Sequence, residues 1–92
     1  MKATLLTRFG GPEVLQYGEA DTPTWLASQM LVKVAACGVC GHDLLNREGH
    51  FPDTHTPCVM GHEIAGVVQE VGALVTSFAP GDRVALTQRI SC

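Results

Sequence analysis

The chain has 92 residues, of which 46% are hydrophobic and 16% charged, and its formal net charge is −3 at pH 7. This length allows one domain at most, and the composition is that of a folded protein rather than of a disordered one. The six lysines and arginines form no cluster, which argues against a nucleic-acid-binding surface. The N-terminus lacks an apolar signal segment, and no apolar run approaches the ~20 residues of a membrane helix. We therefore expect a cytoplasmic protein.

Short strands separated by glycine and proline turns are predicted from the first residues onward. The pattern indicates strands over residues 2–8, 13–20 and 29–37, with a turn at Gly10-Gly11-Pro12 between the first two. The strand over 29–37 alternates regularly, with Met30, Val32, Val34 and Ala36 on one side, so we expect one of its faces to be fully buried.

One short helix and two more strands are predicted in the rest of the chain. The helix is expected over His42–Gly49, followed by a proline-containing loop over residues 50–57. A strand over 63–72 contains Gly66, which predicts a bulge or bend, and the last strand follows a turn within 78–87. These elements predict a mainly β fold, either a partly open antiparallel barrel or a sandwich. No glycine fingerprint of a dinucleotide site is present.

The four cysteines raise two alternatives that the spacing leaves open. Cys37 and Cys40 form a C-x-x-C pair, but the predicted strands around them disfavour a thioredoxin-type redox site. The set C-x2-C-x17-C-x3-H, formed with Cys58 and His62, has the ligand types of a structural zinc site. Against it, Cys37 and Cys58 lie on apolar stretches, where buried cysteines are common as small hydrophobic residues.

A third alternative combines Cys40 with the histidine of the "GHEIAG" segment. This segment is no metalloprotease motif, because Gly66 stands where H-E-x-x-H requires its second histidine. The Cys40 thiolate and the His62 imidazole are instead two ligands of the kind that a catalytic zinc uses, with one position left open for water or substrate.

Four stretches of the chain carry a resemblance to a known family. They are "FGGPEVL", "LVKVAACGVCGHDL", "GHEIAGVVQEVG" and "VTSFAPGDRV", and they occur in the family's order over nearly all of the sequence. In these stretches the chain resembles the N-terminal part of zinc-containing medium-chain dehydrogenases/reductases, the alcohol dehydrogenase superfamily. The resemblance implies a mainly β, GroES-like, partly open antiparallel barrel with one short helix.

The resemblance also implies a domain organisation. Residues 1–92 correspond to the GroES-like N-terminal domain, and Cys92 falls where the family's structural zinc lobe begins, as the first of its four cysteines. We therefore expect a chain truncated at the start of that lobe, without the nucleotide-binding domain that follows in the family.

The resemblance implies roles for individual residues of a catalytic zinc site. Cys40 and His62 match two zinc ligands, and the third ligand lies beyond the end of this chain. Glu63 matches an acid behind the zinc, and Asp43 an aspartate that hydrogen-bonds the ligand histidine and fixes its tautomer. Phe51 matches a bulky residue of the substrate pocket.

His42 departs from the family's pattern. It stands where most relatives carry the serine or threonine that takes the substrate proton. An imidazole can relay a proton near neutral pH, so His42 either performs this role or simply begins the short helix. His50 and His55 match no ligand position and are expected to be solvated.

The activity implied by the resemblance is hydride transfer between a small alcohol, aldehyde or ketone and NAD or NADP, with zinc as Lewis acid. The parent enzyme is expected to form a homo-oligomer, without nucleic acid or membrane partners. The 92 residues alone are expected to be inactive, because two ligands hold zinc weakly and no cofactor domain is present. Two other hypotheses remain: a structural zinc module, and a GroES-like assembly module that needs neither Cys40 nor His62.

Overall fold

The computed structural model describes residues 1–86, which form two compact units. The first comprises Met1–Thr22 and Val39–Gly61, and the second comprises Pro23–Gly38 and the residues from His62 onward. In chain order the elements are β1 (Lys2–Leu6), a 3-10 helix (Pro12–Val14), β2 (Leu15–Glu19), β3 (Met30–Gly38), α1 (Gly41–Glu48), β4 (Cys58–Val59), β5 (Glu63–Val71) and β6 (Arg83–Leu86). The predicted mainly β fold with one short helix is confirmed, and its strands form two open antiparallel sheets.

The first unit is a three-stranded sheet in the order β2-β1-β4. Its apolar centre contains Leu6 and Val14, whose side chains are fully buried. The backbone and the hydroxyl of Thr7 both donate to the Val14 carbonyl oxygen, at 3.0 and 2.9 Å. These bonds fix the chain as it leaves β1 and returns through the glycine-rich segment, where Pro12 begins the 3-10 helix instead of a simple turn.

Helix α1 lies within one residue of its predicted bounds at each end. It ends at Gly49, which adopts the left-handed conformation with φ of 92°, as expected for a glycine at this position. Arg47 ties the helix to the loop after β1, because the Gly10 amide donates to the Arg47 carbonyl at 3.0 Å and the Arg47 Nε donates to the Gly10 carbonyl at 3.1 Å. Within residues 1–86, no helix is both long and apolar enough to cross a membrane.

Strand β4 was not predicted from the sequence. It consists of two residues, Cys58 and Val59, which pair with Leu6 and Leu5 of β1. Such a short strand carries no alternation of its own, and the prolines that precede it indicate a loop, so its existence depends on pairing with a strand far away in sequence.

The second unit is a three-stranded sheet in the order β3-β5-β6. The register of β3 and β5 shifts between Val34 and Ala36, opposite Gly66 and Ala65, so the extra residue at this irregularity is Ala35 of β3. Gly66 is buried, and a Cβ atom there would collide with the Lys33 carbonyl oxygen. The glycine that predicted an irregular strand therefore allows the β3 backbone to approach closely.

The expectation of a fully buried face on β3 was wrong. The strand is half-buried from Met30 to Val32 and exposed from Lys33 to Gly38, and Val34 is 54% exposed. Alternation predicts which residues share a face but not what covers that face, and both faces are exposed from Lys33 to Gly38. Two register shifts along the β3–β5 pair also interrupt the alternation.

The predicted turn before the last strand is confirmed. Gly81 has φ of 98°, and its amide donates to the Val68 carbonyl, while the Val68 amide donates to the Asp82 carbonyl, both at 2.8 Å. The Asp82 carboxylate accepts the Ala79 amide at 3.0 Å and so closes the turn. These bonds place the turn beside Val68, the fully buried side chain of β5.

We predict that Gly66→Ala destabilises the protein by about 1–3 kcal/mol, because the added methyl group meets backbone that cannot move without disturbing the sheet. The control is Gly18→Ala in β2, where a Cβ atom meets nothing within 4 Å. Urea unfolding monitored by circular dichroism measures both variants. Equal free energies of unfolding for the two variants would contradict the close approach at Gly66.

The carboxyl group of Glu19 is predicted to titrate below its usual range. The hydrogen bond from Lys2 lowers its pKa, and the N-terminal ammonium of Met1, 3.5 Å from Glu19 Oε2, acts in the same direction. This interaction therefore contributes stability above the ordinary carboxyl pKa, and the contribution is lost as the pH falls through the lowered pKa. Carboxyl ¹³C titration by NMR should show this shift, and Lys2→Met should largely remove it. An unchanged Glu19 titration in that variant would refute the assignment to Lys2.

Candidate metal centre

Cys40 immediately precedes helix α1 and occupies its N-cap position, with an extended backbone. The Asp43 carboxylate Oδ2 accepts the Cys40 amide at 3.0 Å, and the reciprocal half of this capping box, from the Asp43 amide to the Cys40 side chain, is also present. Asp43 is only 9% exposed. The arrangement fixes the backbone at Cys40 and holds its thiol beside the first turn of the helix.

A second metal-binding type of side chain lies beside this thiol. A ring nitrogen of His42 and Cys40 Sγ lie within 4.8 Å of each other. Cys40 is half-buried and His42 is exposed. Sulfur and imidazole nitrogen are donors that zinc binds in proteins, so the first unit by itself brings two suitable ligand atoms together, and the donor chemistry fits a zinc ion.

The ring of His42 also contacts an aromatic side chain. Its centroid lies 6.0 Å from that of Phe51, and the two ring planes are inclined at 50°. Phe51 belongs to the loop after α1 and is 37% exposed. Sequence reasoning assigned Phe51 to a substrate pocket but missed this contact, since nothing in the spacing of nine residues indicates that the loop turns back over the helix start.

His62 and Glu63 are the first two residues of the second unit after the chain leaves Gly61. His62 is half-buried, and Glu63 begins β5, where it pairs in register with Gly38 at the end of β3. The Glu63 carboxylate lies against Gly38, in the space that a Cβ atom would need. The roles of both side chains at a metal remain predictions.

Of the two other described cysteines, Cys37 departs from its expected burial. Cys37 was expected to be a small buried side chain, but it is exposed, because the second half of β3 is uncovered, and its thiol donates to the Gly38 carbonyl at 3.6 Å. Cys58 is half-buried in β4. The C-x-x-C pair is divided between the two units, since Cys37 belongs to the second and Cys40 to the first.

Three further sequence predictions concern histidines and the last cysteine. His50 and His55 are exposed, as expected, and His50 Nε2 lies 3.2 Å from a carboxylate oxygen of Glu48. Cys92, predicted as a structural zinc ligand, lies outside the described residues.

Comparison with known proteins identifies the family. Residues 27–92 match the alcohol dehydrogenase GroES-like domain. The chain belongs to this family. Its structure also superimposes on the crystal structure of AibC with a TM-score of 0.97 and 43% sequence identity, covering 100% of this chain and 26% of that one. The family resemblance noted in the sequence is thereby confirmed.

Curated relatives support the same family assignment. The alcohol dehydrogenase of Geobacillus stearothermophilus is 40% identical over 87 residues, which are 94% of this chain and 25% of that protein. The quinone oxidoreductase of Lama guanicoe is 38% identical over 93 residues, covering 99% of this chain and 28% of that protein. The chain thus spans about a quarter of the length of these relatives.

We predict that Gly38→Ala moves the Glu63 carboxylate away from the end of β3 while it changes the free energy of unfolding by less than about 1 kcal/mol. The cost is small because the colliding group is the end of a flexible, exposed side chain. The crystal structure of the variant should show a different Glu63 rotamer. Gly41→Ala, where a Cβ atom meets nothing within 4 Å, should leave Glu63 in place. An unmoved carboxylate in Gly38→Ala would contradict this account.

Proposed function

We propose that this chain is the substrate- and zinc-binding N-terminal domain of an alcohol dehydrogenase-like oxidoreductase, which transfers hydride between an alcohol or carbonyl compound and NAD or NADP. The observation that carries the proposal is the Cys40 thiol at the start of α1, a zinc-binding donor that the capping box with Asp43 positions, with a nitrogen of the proposed proton relay His42 within 4.8 Å of it. Membership of the alcohol dehydrogenase GroES-like family supports the reaction class.

In this proposal Cys40 and His62 are protein ligands of a catalytic zinc ion, and the third ligand lies outside the 92 residues. When bound, zinc supplies a Lewis acid that polarises the oxygen of the substrate. The capping box supports the assignment of Cys40, because it fixes the backbone that carries the Cys40 thiol even without a bound metal. A preorganised ligand loses less conformational entropy on binding.

Asp43 and Glu63 are proposed to act on the ligands rather than on the substrate. The buried Asp43 carboxylate holds the Cys40 amide, and by the family resemblance it also orients the ligand histidine. Glu63 begins β5 directly after His62, and its carboxylate is held against Gly38. It is proposed to be an acid behind the metal.

His42 and Phe51 are proposed to face the substrate. His42 would take the substrate proton in place of the hydroxyl that most relatives carry, and its exposed ring supports access to an incoming molecule. Phe51, which packs at the His42 ring, would form an apolar wall of the pocket and limit the orientations of that ring.

The whole enzyme is proposed to bind its nicotinamide cofactor on a following nucleotide-binding domain and to carry a structural zinc lobe beginning at Cys92. A cytoplasmic location is part of the same proposal, since the free cysteines Cys37, Cys40 and Cys58 suit a reducing compartment. The whole enzyme is also proposed to be a homo-oligomer, as the family resemblance implies. The substrate is expected to be a small alcohol, aldehyde or ketone.

The proposal predicts that Cys40→Ser strongly reduces bound zinc, measured by atomic emission after dialysis, while the matched variant Cys37→Ser keeps it. The reason is that Cys40 is proposed to be a zinc ligand, positioned by the capping box, whereas the exposed Cys37 thiol donates to the Gly38 carbonyl. Equal loss of zinc in both variants would favour a structural module of Cys37, Cys40, Cys58 and His62. Full retention in both would favour an assembly module without a metal role for either thiol.

A further inference from the structure

We propose that His42 is itself a ligand of the metal in the substrate-free protein. The inference rests on the proposed zinc site and goes beyond it, because it gives this chain a ligand at the position where the family resemblance places only a proton-relaying hydroxyl. The relay role described above concerns the protein with substrate present, whereas ligation by His42 concerns the protein before substrate enters.

The distance between the two ligand atoms supports direct ligation. Zinc–sulfur bonds of about 2.3 Å and zinc–nitrogen bonds of about 2.0 Å, at a tetrahedral angle, place the sulfur and nitrogen roughly 3.5 Å apart. In the structure Cys40 Sγ and a His42 nitrogen are within 4.8 Å of each other. The two atoms would therefore have to approach each other by at most about 1.3 Å to bind one zinc ion.

The local backbone places Cys40 and His42 next to each other at the start of α1. Cys40 is the N-cap of α1 and His42 lies in its first turn, so the two positions are fixed by the same capping box. The bond from the Cys40 amide to the buried Asp43 carboxylate holds that turn together at 3.0 Å. A metal held by Cys40 would therefore have the His42 ring within reach, whichever residue supplies the remaining ligands.

Phe51 also lies beside the imidazole. The His42 and Phe51 ring centroids lie 6.0 Å apart with the planes inclined at 50°, so the imidazole has an aromatic neighbour next to the Cys40 thiol. The ring nitrogens lie on the edge of the imidazole, which is where a metal ion coordinates. Serine or threonine at position 42 would offer a neutral hydroxyl, which is a much poorer zinc ligand than imidazole.

The test compares zinc binding and coordination in the purified, substrate-free protein. His42→Asn should lower the affinity for zinc at least about tenfold in a competition titration with a chromophoric chelator. Zinc-edge X-ray absorption should show one imidazole ligand fewer than in the wild type. His50→Asn is the matched control, because His50 is an exposed histidine of the same unit that pairs with Glu48. It should change neither the affinity nor the imidazole count.

A rescue variant separates ligation from a structural effect. His42→Cys should regain much of the affinity and show one additional sulfur in the X-ray absorption spectrum, which a merely structural role for the ring would not produce. If His42→Asn does not fold, the spectrum of His42→Cys decides the question by itself.

The outcomes distinguish this inference from the proposed function. Unchanged affinity and imidazole count in His42→Asn, or an unchanged sulfur count in His42→Cys, would overturn ligation by His42. The zinc-dependent function would then still stand, provided that Cys40→Ser loses the metal. Retention of zinc in Cys40→Ser would overturn the proposed function and with it the role of His42.

Discussion

The candidate site depends on one local interaction, the hydrogen bond between the Asp43 carboxylate and the Cys40 amide. This bond satisfies a backbone donor that the helix cannot satisfy internally, and it does so from a side chain that is almost completely buried. It joins the N-cap residue, which carries the Cys40 thiol, to the first helical turn, which contains His42. A short helix of eight residues has little stability of its own, so the capping box at one end and the Arg47–Gly10 bonds at the other are what keep this turn in place.

The architecture was largely predictable because most elements carry local signals. Alternating apolar residues marked β3, and glycines marked the end of α1 and the turn at Gly81, where positive φ values occur. Strand β4 was missed because a two-residue strand has no period and forms only by pairing with β1. The burial of β3 was misjudged because alternation shows which residues share a face, whereas burial depends on what packs against that face.

The candidate site was less predictable from the sequence than the architecture. The C-x-x-C spacing left it open which cysteine belongs with which histidine, and only the family resemblance selected Cys40. The exposure of Cys37 and the contact between His42 and Phe51 could not have been read from the sequence, because both depend on how the ends of strands and loops lie in space. The membership in the alcohol dehydrogenase GroES-like family, by contrast, was readable from motifs that remain contiguous in the chain.

The division of the chain between its two units affects how the protein can be made. Neither unit is a continuous stretch: the first resumes at Val39 after the second has begun, and the second resumes at His62. On the ribosome the β1–β2 hairpin can form early, because its strands are adjacent in sequence. Strand β1 cannot pair with β4 until about two thirds of the 92 residues have been synthesised. Until then the free edge of β1 is open to pairing with other chains. During translation, the turn at Cys40 is therefore synthesised when both sheets still lack at least one of their strands.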